Sequence, residues 1–201
     1  MDNEKRLWFV FFNDQLLLEK KDGKLTIPYQ NEPPTPVAAW THIHELSMFD
    51  GETFNAYALP SPVLENERFI MMGLRASFEV LLPSQYQKAG KAQELIYWDR
   101  NSRFCPSCGM PMDWHTNISK CCSGCGKEIW PTVSTAIIVL ITRGDEALMV
   151  HARNFKGDYY GLVAGFVETG ETLEECVERE VMEETGLRIR NIRYFASQAW
   201  P

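Results

Sequence analysis

Gly165-Phe-Val-Glu-Thr-Gly170-Glu171-Thr-Leu-Glu-Glu175-Cys176-Val-Glu-Arg179-Glu180-Val-Met-Glu183-Glu184-Thr-Gly186-Leu187 is the stretch whose reading decides the fold. Thr172 is placed to cap a helix, and Glu174 and Glu175 fall in its first turn, where negative charge suits the helix dipole. Gly186 is a natural stop, so the spacing predicts a helix over about 172–185. At ~100° per residue, Leu173, Val177, Glu180 and Glu184 share one ~60° sector, which places two carboxylates on the apolar face. Burying like charges together is costly unless cations neutralise them. A solvated acidic helix accounts for Glu174, Glu175 and Glu178, but not for Glu180 and Glu184. Clustered carboxylate oxygens suit Mg²⁺ or Mn²⁺. Such a site works on phosphorus by neutralising charge, positioning water and stabilising the leaving phosphate. Gly165 and Gly170 are expected to let the backbone turn sharply beside it.

Working upstream, Val133–Thr142 is apolar and β-branched and reads as a buried strand. Arg143-Gly-Asp145 reads as a turn and Ala147–Ala152 as its hairpin partner. Downstream of the helix, a last strand is expected near Arg190–Ser197. Before this region come Cys105-Pro-Ser-Cys108-Gly109 and Cys122-Ser-Gly-Cys125-Gly126, with thirteen residues between Cys108 and Cys122. Each Cys-x-x-Cys turn brings two thiolates to one tetrahedral ion, and two such turns close a site. Cys105, Cys108, Cys122 and Cys125 are therefore expected to hold a structural zinc with no open coordination position. Reduced or disulfide-linked thiols are the alternative. Cys121 is a spare thiol that could compete as a ligand, and Cys176 reads as a small buried apolar residue.

Residues 1–101 read as an α+β unit. Leu7–Val10 and Gln15–Glu19 flank an Asn13-Asp14 turn, and a third apolar run follows Lys21-Asp-Gly23. Pro33–Pro36 is a loop, Phe54–Leu59 and Phe69–Leu74 read as strands, and Gln85–Trp98 has helical composition. His42 and His44, two apart, fall on one face of a strand, but two histidines without a third ligand read as surface polar residues. No catalytic cluster stands out here, so the zone reads as a scaffold or dimerisation unit. The expected organisation is α+β throughout: an N-terminal α+β domain (1–101), a zinc ribbon (102–130) and a catalytic domain (131–201).

Composition narrows the classes. The chain has 201 residues, 45% of them hydrophobic and 23% charged, as an ordinary globular protein does. Twenty Lys+Arg against 27 Asp+Glu leave a formal charge of −7. That disfavours bulk electrostatic binding to nucleic acid or an anionic membrane, though not a polyanionic small substrate whose charge metal ions neutralise. No run approaches the roughly 18 apolar residues of a membrane span, and the N-terminus does not read as a signal peptide. Paired cysteines in a metal-ligand pattern point to a reducing compartment, and so to a cytoplasmic protein.

The quoted segment fits the Nudix pattern G-x5-E-x7-R-E-U-x-E-E-x-G-U at every fixed position: Gly165, Glu171, Arg179, Glu180, Glu183, Glu184 and Gly186, with Val181 and Leu187 in the aliphatic slots. On these residues the chain is identified as a member of the Nudix hydrolases. The resemblance implies an α/β/α sandwich with a mixed sheet. It implies that Glu180 and Glu184 bind Mg²⁺ or Mn²⁺ with help from Glu183, and that the Ala164 carbonyl can join them. Arg179 would hold the loop–helix–loop by pairing with Glu171. A ribbon just upstream of the box, Pro131 closing it, and the run Leu162–Glu168 resemble the bacterial NADH pyrophosphatases. That family carries S-Q-P-W-P-F-P-x-S after the box, and here Ser197-Gln198-Ala199-Trp200-Pro201 stands at that place. The similarity spans about residues 65–201.

This narrower resemblance implies hydrolysis of NAD(H) to NMN(H) and AMP, removal of NAD caps from RNA, and a homodimer. Gln198, Ala199, Trp200 and Pro201 would contact the substrate, Phe166 and Trp130 would stack on a ring, and Arg75 lies at a loosely matching place. Ala199 replaces the motif's first proline, which keeps ADP-ribose or another nucleoside diphosphate derivative open as the substrate. A complete Nudix fold needs on the order of 130 residues, whereas about 70 follow Pro131, so the Nudix part is expected to be incomplete and to lack the family's downstream glutamate. A non-catalytic nucleotide-binding module therefore stands as the alternative from another class. A nucleic-acid-binding ribbon is disfavoured by the acidic charge.

Overall fold

A computed structural model describes residues 5–49, 51–151 and 157–199. Two compact units make it up. One runs through Pro131, with Gln198 and Ala199 grouping with it, and the other is Thr132–Ser197. The chain is α+β, as expected.

The first unit opens with β1 (Arg6–Phe12) and β2 (Gln15–Lys21), an antiparallel hairpin turned by Asn13 in the left-handed region. Then come β3 (Lys24–Thr26), β4 (Tyr29–Gln30), β5 (His44–Ser47), β6 (Thr53–Ala58) and β7 (Phe69–Gly73). β6 runs parallel to β1 and antiparallel to β5, while β7 pairs antiparallel along β2, so the sheet is mixed. A short α1 (Leu74–Ser77) leads to α2 (Pro83–Asn101), whose proline opens it where no amide donor is needed.

Side chains alternate across the sheet with the two-residue period of a strand. Phe9, Phe11, Leu16, Leu18, Phe54 and Ala56 form one core with Ala89, Ala92, Leu95 and Ile96 of α2. Trp8, Val10, Leu17 and Tyr57 form a second core on the opposite face. At the β5 edge, the carbonyls of Glu45 and Ser47 accept from the side chains of Asn117 (3.5 Å) and Lys91 (2.5 Å).

The ribbon belongs to this same unit. β8 (Met112–Thr116), β9 (Ser119–Cys122) and β10 (Glu128–Ile129) form a small antiparallel sheet over a core of Cys105, Met112, Cys122 and Ile129.

The second unit holds β11 (Ala136–Val139), β12 (Thr142–Arg143), β13 (Glu146–Ala147), β14 (Val163–Phe166) and α3 (Leu173–Thr185). Both of its strand pairs, β11 with β14 and β12 with β13, are antiparallel. Two expectations are corrected here. The apolar run 133–142 is not one buried strand: only Ala136–Val139 pairs with β14, Ile137 alone is buried, and Val133, Ile138 and Leu140 stay exposed. No strand forms near Arg190–Ser197 among the described residues. The turn at 143–145 does form a hairpin, through Glu146–Ala147. Its expected end at Ala152 lies outside the described residues.

Candidate functional site

The box forms a strand, a turn and a helix. β14 ends at Phe166, Gly170 turns the chain at φ 96°, and α3 begins after Thr172. The start is doubly closed. The Glu175 amide donates to the Thr172 hydroxyl at 3.2 Å, and the Thr172 amide donates to the Glu175 carboxylate at 2.7 Å. Those bonds hold the Glu175 carboxyl below its ordinary range. Gly186 ends the helix at φ 70°, with its amide on the Met182 carbonyl at 2.9 Å.

Gly165 has a different role from the expected sharp turn. It is an extended residue of β14, opposite the buried Ile137 of β11. A Cβ built on it would lie 1.9 Å from Glu180 Cδ. The strand position that faces α3 therefore has no side chain, and the Glu180 carboxylate occupies the room. A side chain added at this position would collide with the end of the Glu180 side chain, which would have to shift to make room.

Arg179 ties the segment together. Its Nε and Nη2 donate to both oxygens of Glu171 at 3.0 and 2.6 Å, and Nη2 also donates to the Phe166 carbonyl at 3.0 Å. Its Nη1 donates to Glu180 at 2.8 Å and to Glu183 at 3.3 Å. The Glu168 amide adds a bond to Glu171 at 2.7 Å. The Arg179 bonds, then the Glu168 amide, hold the Glu171 carboxyl down at about 2. The same carboxylates push the Arg179 guanidinium above its already high range. Loop and helix are thus joined by one bidentate pair and one carbonyl contact.

The helix face departs from expectation at its ends. Cys176, Val177 and Val181 are buried, but Leu173 and Glu184 are exposed. Of the expected sector only Val177 and Glu180 turn inward; Cys176 and Val181, on either side of it, are buried with them against Ile137 of β11 and Val163 of β14. Glu180 is the carboxylate held inside, with a side chain 14% exposed, and Arg179 rather than a second acid is its neighbour. Cys176 is fully buried as expected, and burial pushes its thiol up to about 11. Ala164 stands on β14 paired with Ile138. All the side-chain donors of the acidic set are oxygens, which fits a hard divalent cation. In this arrangement, however, Glu180, Glu183 and Glu184 do not converge. Among the described residues the one group of three or more metal-binding side chains with ligand atoms within 4.8 Å is Cys105, Cys108, Cys122 and Cys125.

Those four cysteines fit a metal closely. Cys105 and Cys125 Sγ are 3.7 Å apart, and Cys108 and Cys122 Sγ are 3.4 Å apart. A disulfide would need about 2.05 Å, whereas thiolates placed tetrahedrally at ~2.3 Å from zinc stand about 3.8 Å apart. The two knuckles repeat one backbone pattern. Gly109 and Gly126, at φ 75° and 73°, donate back to the Cys105 and Cys122 carbonyls at 2.9 and 3.1 Å. Amides of Gly124 and Cys125 point at Cys122 Sγ at 3.3 and 3.4 Å, and that of Ser107 at Cys105 Sγ at 3.4 Å. Backbone bonds of this kind pull the Cys122 thiol down to about 6 and lower that of Cys105. Cys121 is outside the cluster, its thiol directed to the Gly126 carbonyl at 3.5 Å.

The remaining expected contacts are scattered. Phe166 is 66% exposed on β14 of the second unit, and Trp130 is 53% exposed in the first. Gln198 and Ala199 are exposed and group with the first unit, while Trp200 and Pro201 lie outside the described residues. Arg75 is exposed on α1. Among the described residues His42 and His44 belong to no group of three metal-binding side chains. His44 is buried rather than on the surface, and His42 stacks on Trp114 at 4.9 Å. Local spacing missed a buried group around Lys120, Asp99 and His44, which comes together from three distant segments.

Comparison with known proteins yields two domain matches and several relatives. Residues 131–200 match the NUDIX domain, and residues 5–98 match the NADH pyrophosphatase-like rudimentary NUDIX domain. The NAD-capped RNA hydrolase NudC of Stutzerimonas stutzeri (strain A1501) is 39% identical over 160 residues, 78% of this chain and 56% of the relative. Its namesake from Pseudomonas entomophila (strain L48) is 44% identical over 117 residues, 58% of this chain and 42% of that one. The namesake from Chromobacterium violaceum is 40% identical over 129 residues, 64% and 49% of the two chains. The chain spans about half the length of the curated relatives it matches.

Proposed function

The chain belongs to the Nudix hydrolases through both matched segments, and from that premise we propose that it hydrolyses the pyrophosphate bond of NAD(H) to NMN(H) and AMP. The NAD-capped 5′ end of RNA presents the same bond and is proposed as a second substrate. The relatives' names point there. The observation that carries the reading is the seating of Glu180 against Gly165, with Arg179 bridging Glu180 and Glu171.

Glu180 and Glu184 would hold Mg²⁺ or Mn²⁺, with Glu183 assisting and the Ala164 carbonyl as a further oxygen donor. The bound ion supplies charge neutralisation at the pyrophosphate and activation of water. The chain's own residues set the geometry. Arg179 spends its donors on Glu171 and the Phe166 carbonyl, which holds the turn against the helix and fixes where Glu180 points. Glu183, one helical turn along, shares Arg179 and is free to turn toward a cation when that bond opens. Water attacks one phosphorus, the bridging P–O bond breaks, and the leaving phosphate departs with the other nucleotide. Phe166, exposed beside the box, is proposed to stack on a substrate ring, and Gln198 to Pro201 and Trp130 to contact the dinucleotide. The four cysteines are proposed to bind a structural zinc. A cytoplasmic homodimer completes the proposal; no helix among the described residues is long and apolar enough to cross a membrane.

Ala199 in place of the motif's proline favours a second reading, a Nudix hydrolase of ADP-ribose. Product analysis with NADH, ADP-ribose and Mn²⁺ separates the two. NMNH and AMP from NADH support the first, and turnover of ADP-ribose alone supports the second. Glu184→Gln is expected to lower metal-dependent turnover more than about a hundredfold, beyond the range for outer-shell partners, with the thermal midpoint unchanged. Activity at the unsubstituted level in that variant would remove Glu184 from the metal site. A folded, zinc-loaded chain that binds nucleotide without Mn²⁺ and releases no product with it would mark a binding module instead.

A further inference from the structure

The residues that seat the ribbon on the N-terminal sheet and helix take no part in the proposed chemistry, yet they form one closed arrangement. Lys120 is 3% exposed. Its ammonium contacts Asp99 Oδ1 at 2.5 Å and donates to the main-chain carbonyls of Asp99 at 2.9 Å and Ser102 at 3.2 Å. That uses all the donors an ammonium has. The rings of Trp98 and Trp114 lie 5.4 and 5.1 Å from Nζ, within cation–π range. The second oxygen of Asp99 is 3.6 Å from Nε2 of His44.

The two carbonyls belong to the end of α2. Last-turn carbonyls lack partners inside a helix and carry the negative end of its dipole. Lys120 therefore caps α2 from outside, and it does so from the ribbon. Residues two apart on a strand share a face. Lys120 and Cys122 thus project from one face of β9, with Trp114 and Met112 opposite them in register. Cys122 is one of the four clustered thiols. One short strand carries the metal-binding thiol at one end and the helix cap two residues away.

We propose that β9 is a mechanical link: a metal in the four-thiolate site fixes β9, and β9 through Lys120 orders the C-terminal turn of α2. The competing picture is an ion pair whose effect stops at the ribbon's own seam. The proposal rests on the metal reading of the cysteine cluster, and the test keeps the two apart. Amide hydrogen exchange of residues 98–102 is read on the full chain, together with its zinc content. Lys120→Met is expected to keep one zinc and to exchange these amides about tenfold faster than the unsubstituted chain. Removing zinc from the unsubstituted chain with a chelator is expected to give the same increase, and to add little in Lys120→Met. Unchanged protection in zinc-loaded Lys120→Met, or after zinc removal from the unsubstituted chain, overturns the link. If Lys120→Met does not fold, the chelator arm decides alone. A chain that takes up no zinc at any ratio overturns the metal reading, and the link with it.

Discussion

Two residues show what a single position contributes. Gly165 matches the box pattern, but its physical reason is legible only in the structure: the carboxylate of Glu180 takes the space of a Cβ. Gly165→Ala is expected to displace that carboxylate by about an ångström, which can cost about a hundredfold in rate; kcat/KM for NADH is the measurement, and an unchanged value would show that Glu180 need not sit there. Glu171 is the second. Its carboxyl is held at about 2 against an ordinary 4.5, first by Arg179. A depressed carboxyl stabilises the fold above its ordinary value, and that contribution fades as pH falls from 4.5 toward 2. An NMR titration of Glu171 should therefore place its midpoint near 2, and Arg179→Met should return it toward 4.5. A midpoint in the ordinary range for the unsubstituted chain would dissolve the tether. The Glu171–Arg179 pair was legible because the resemblance names it. Lys120, Asp99 and His44 were not, since residues from a ribbon strand, a helix end and an edge strand share no local spacing.

Elements were legible in proportion to their length and punctuation. α3 was found within a residue because Thr172 and Gly186 mark both ends, whereas α2, read as Gln85–Trp98 because no proline interrupts that run, extends further at each end, to Pro83 and Asn101. β1, β2, β6 and β7 carry enough apolar residues to read as strands. β4 has two residues, too few for any period to appear, while β12 and β13, equally short, were legible only through the turn at 143–145 that joins them. The run 133–142 misled for the opposite reason. Its composition is that of a fully buried strand, yet burial needs a covering layer on each face, and α3 covers only the side of Ile137. The same geometry explains why Glu184 is exposed although it shares a helical sector with Val177. At this scale the capping box is the feature to test. Thr172→Ala removes one of its two bonds and is expected to cost about 1 kcal/mol. Chemical denaturation followed by circular dichroism measures it, and no loss would mean that packing of Cys176, Val177 and Val181 alone sets where the helix begins.

In the whole molecule, residues through Pro131 group as one compact unit, ribbon included, and the ribbon is expected to unfold together with the N-terminal sheet. Zinc bound only by the folded state stabilises that state by mass action. Chelation is expected to lower the melting temperature of the first unit by several degrees, roughly what 1–2 kcal/mol produces in a domain of this size, and calorimetry with and without chelator reads it. An unmoved transition would mean that the four thiols contribute nothing to this unit's stability. The edge of the sheet carries one more consequence. An exposed strand offers a ladder on which a foreign strand can zip, the first step toward fibrils. At β5 the two outward carbonyls, of Glu45 and Ser47, are already taken by Asn117 from the ribbon and Lys91 from α2. A strand arriving from another copy would have to displace both side chains before it could extend the sheet across that rim.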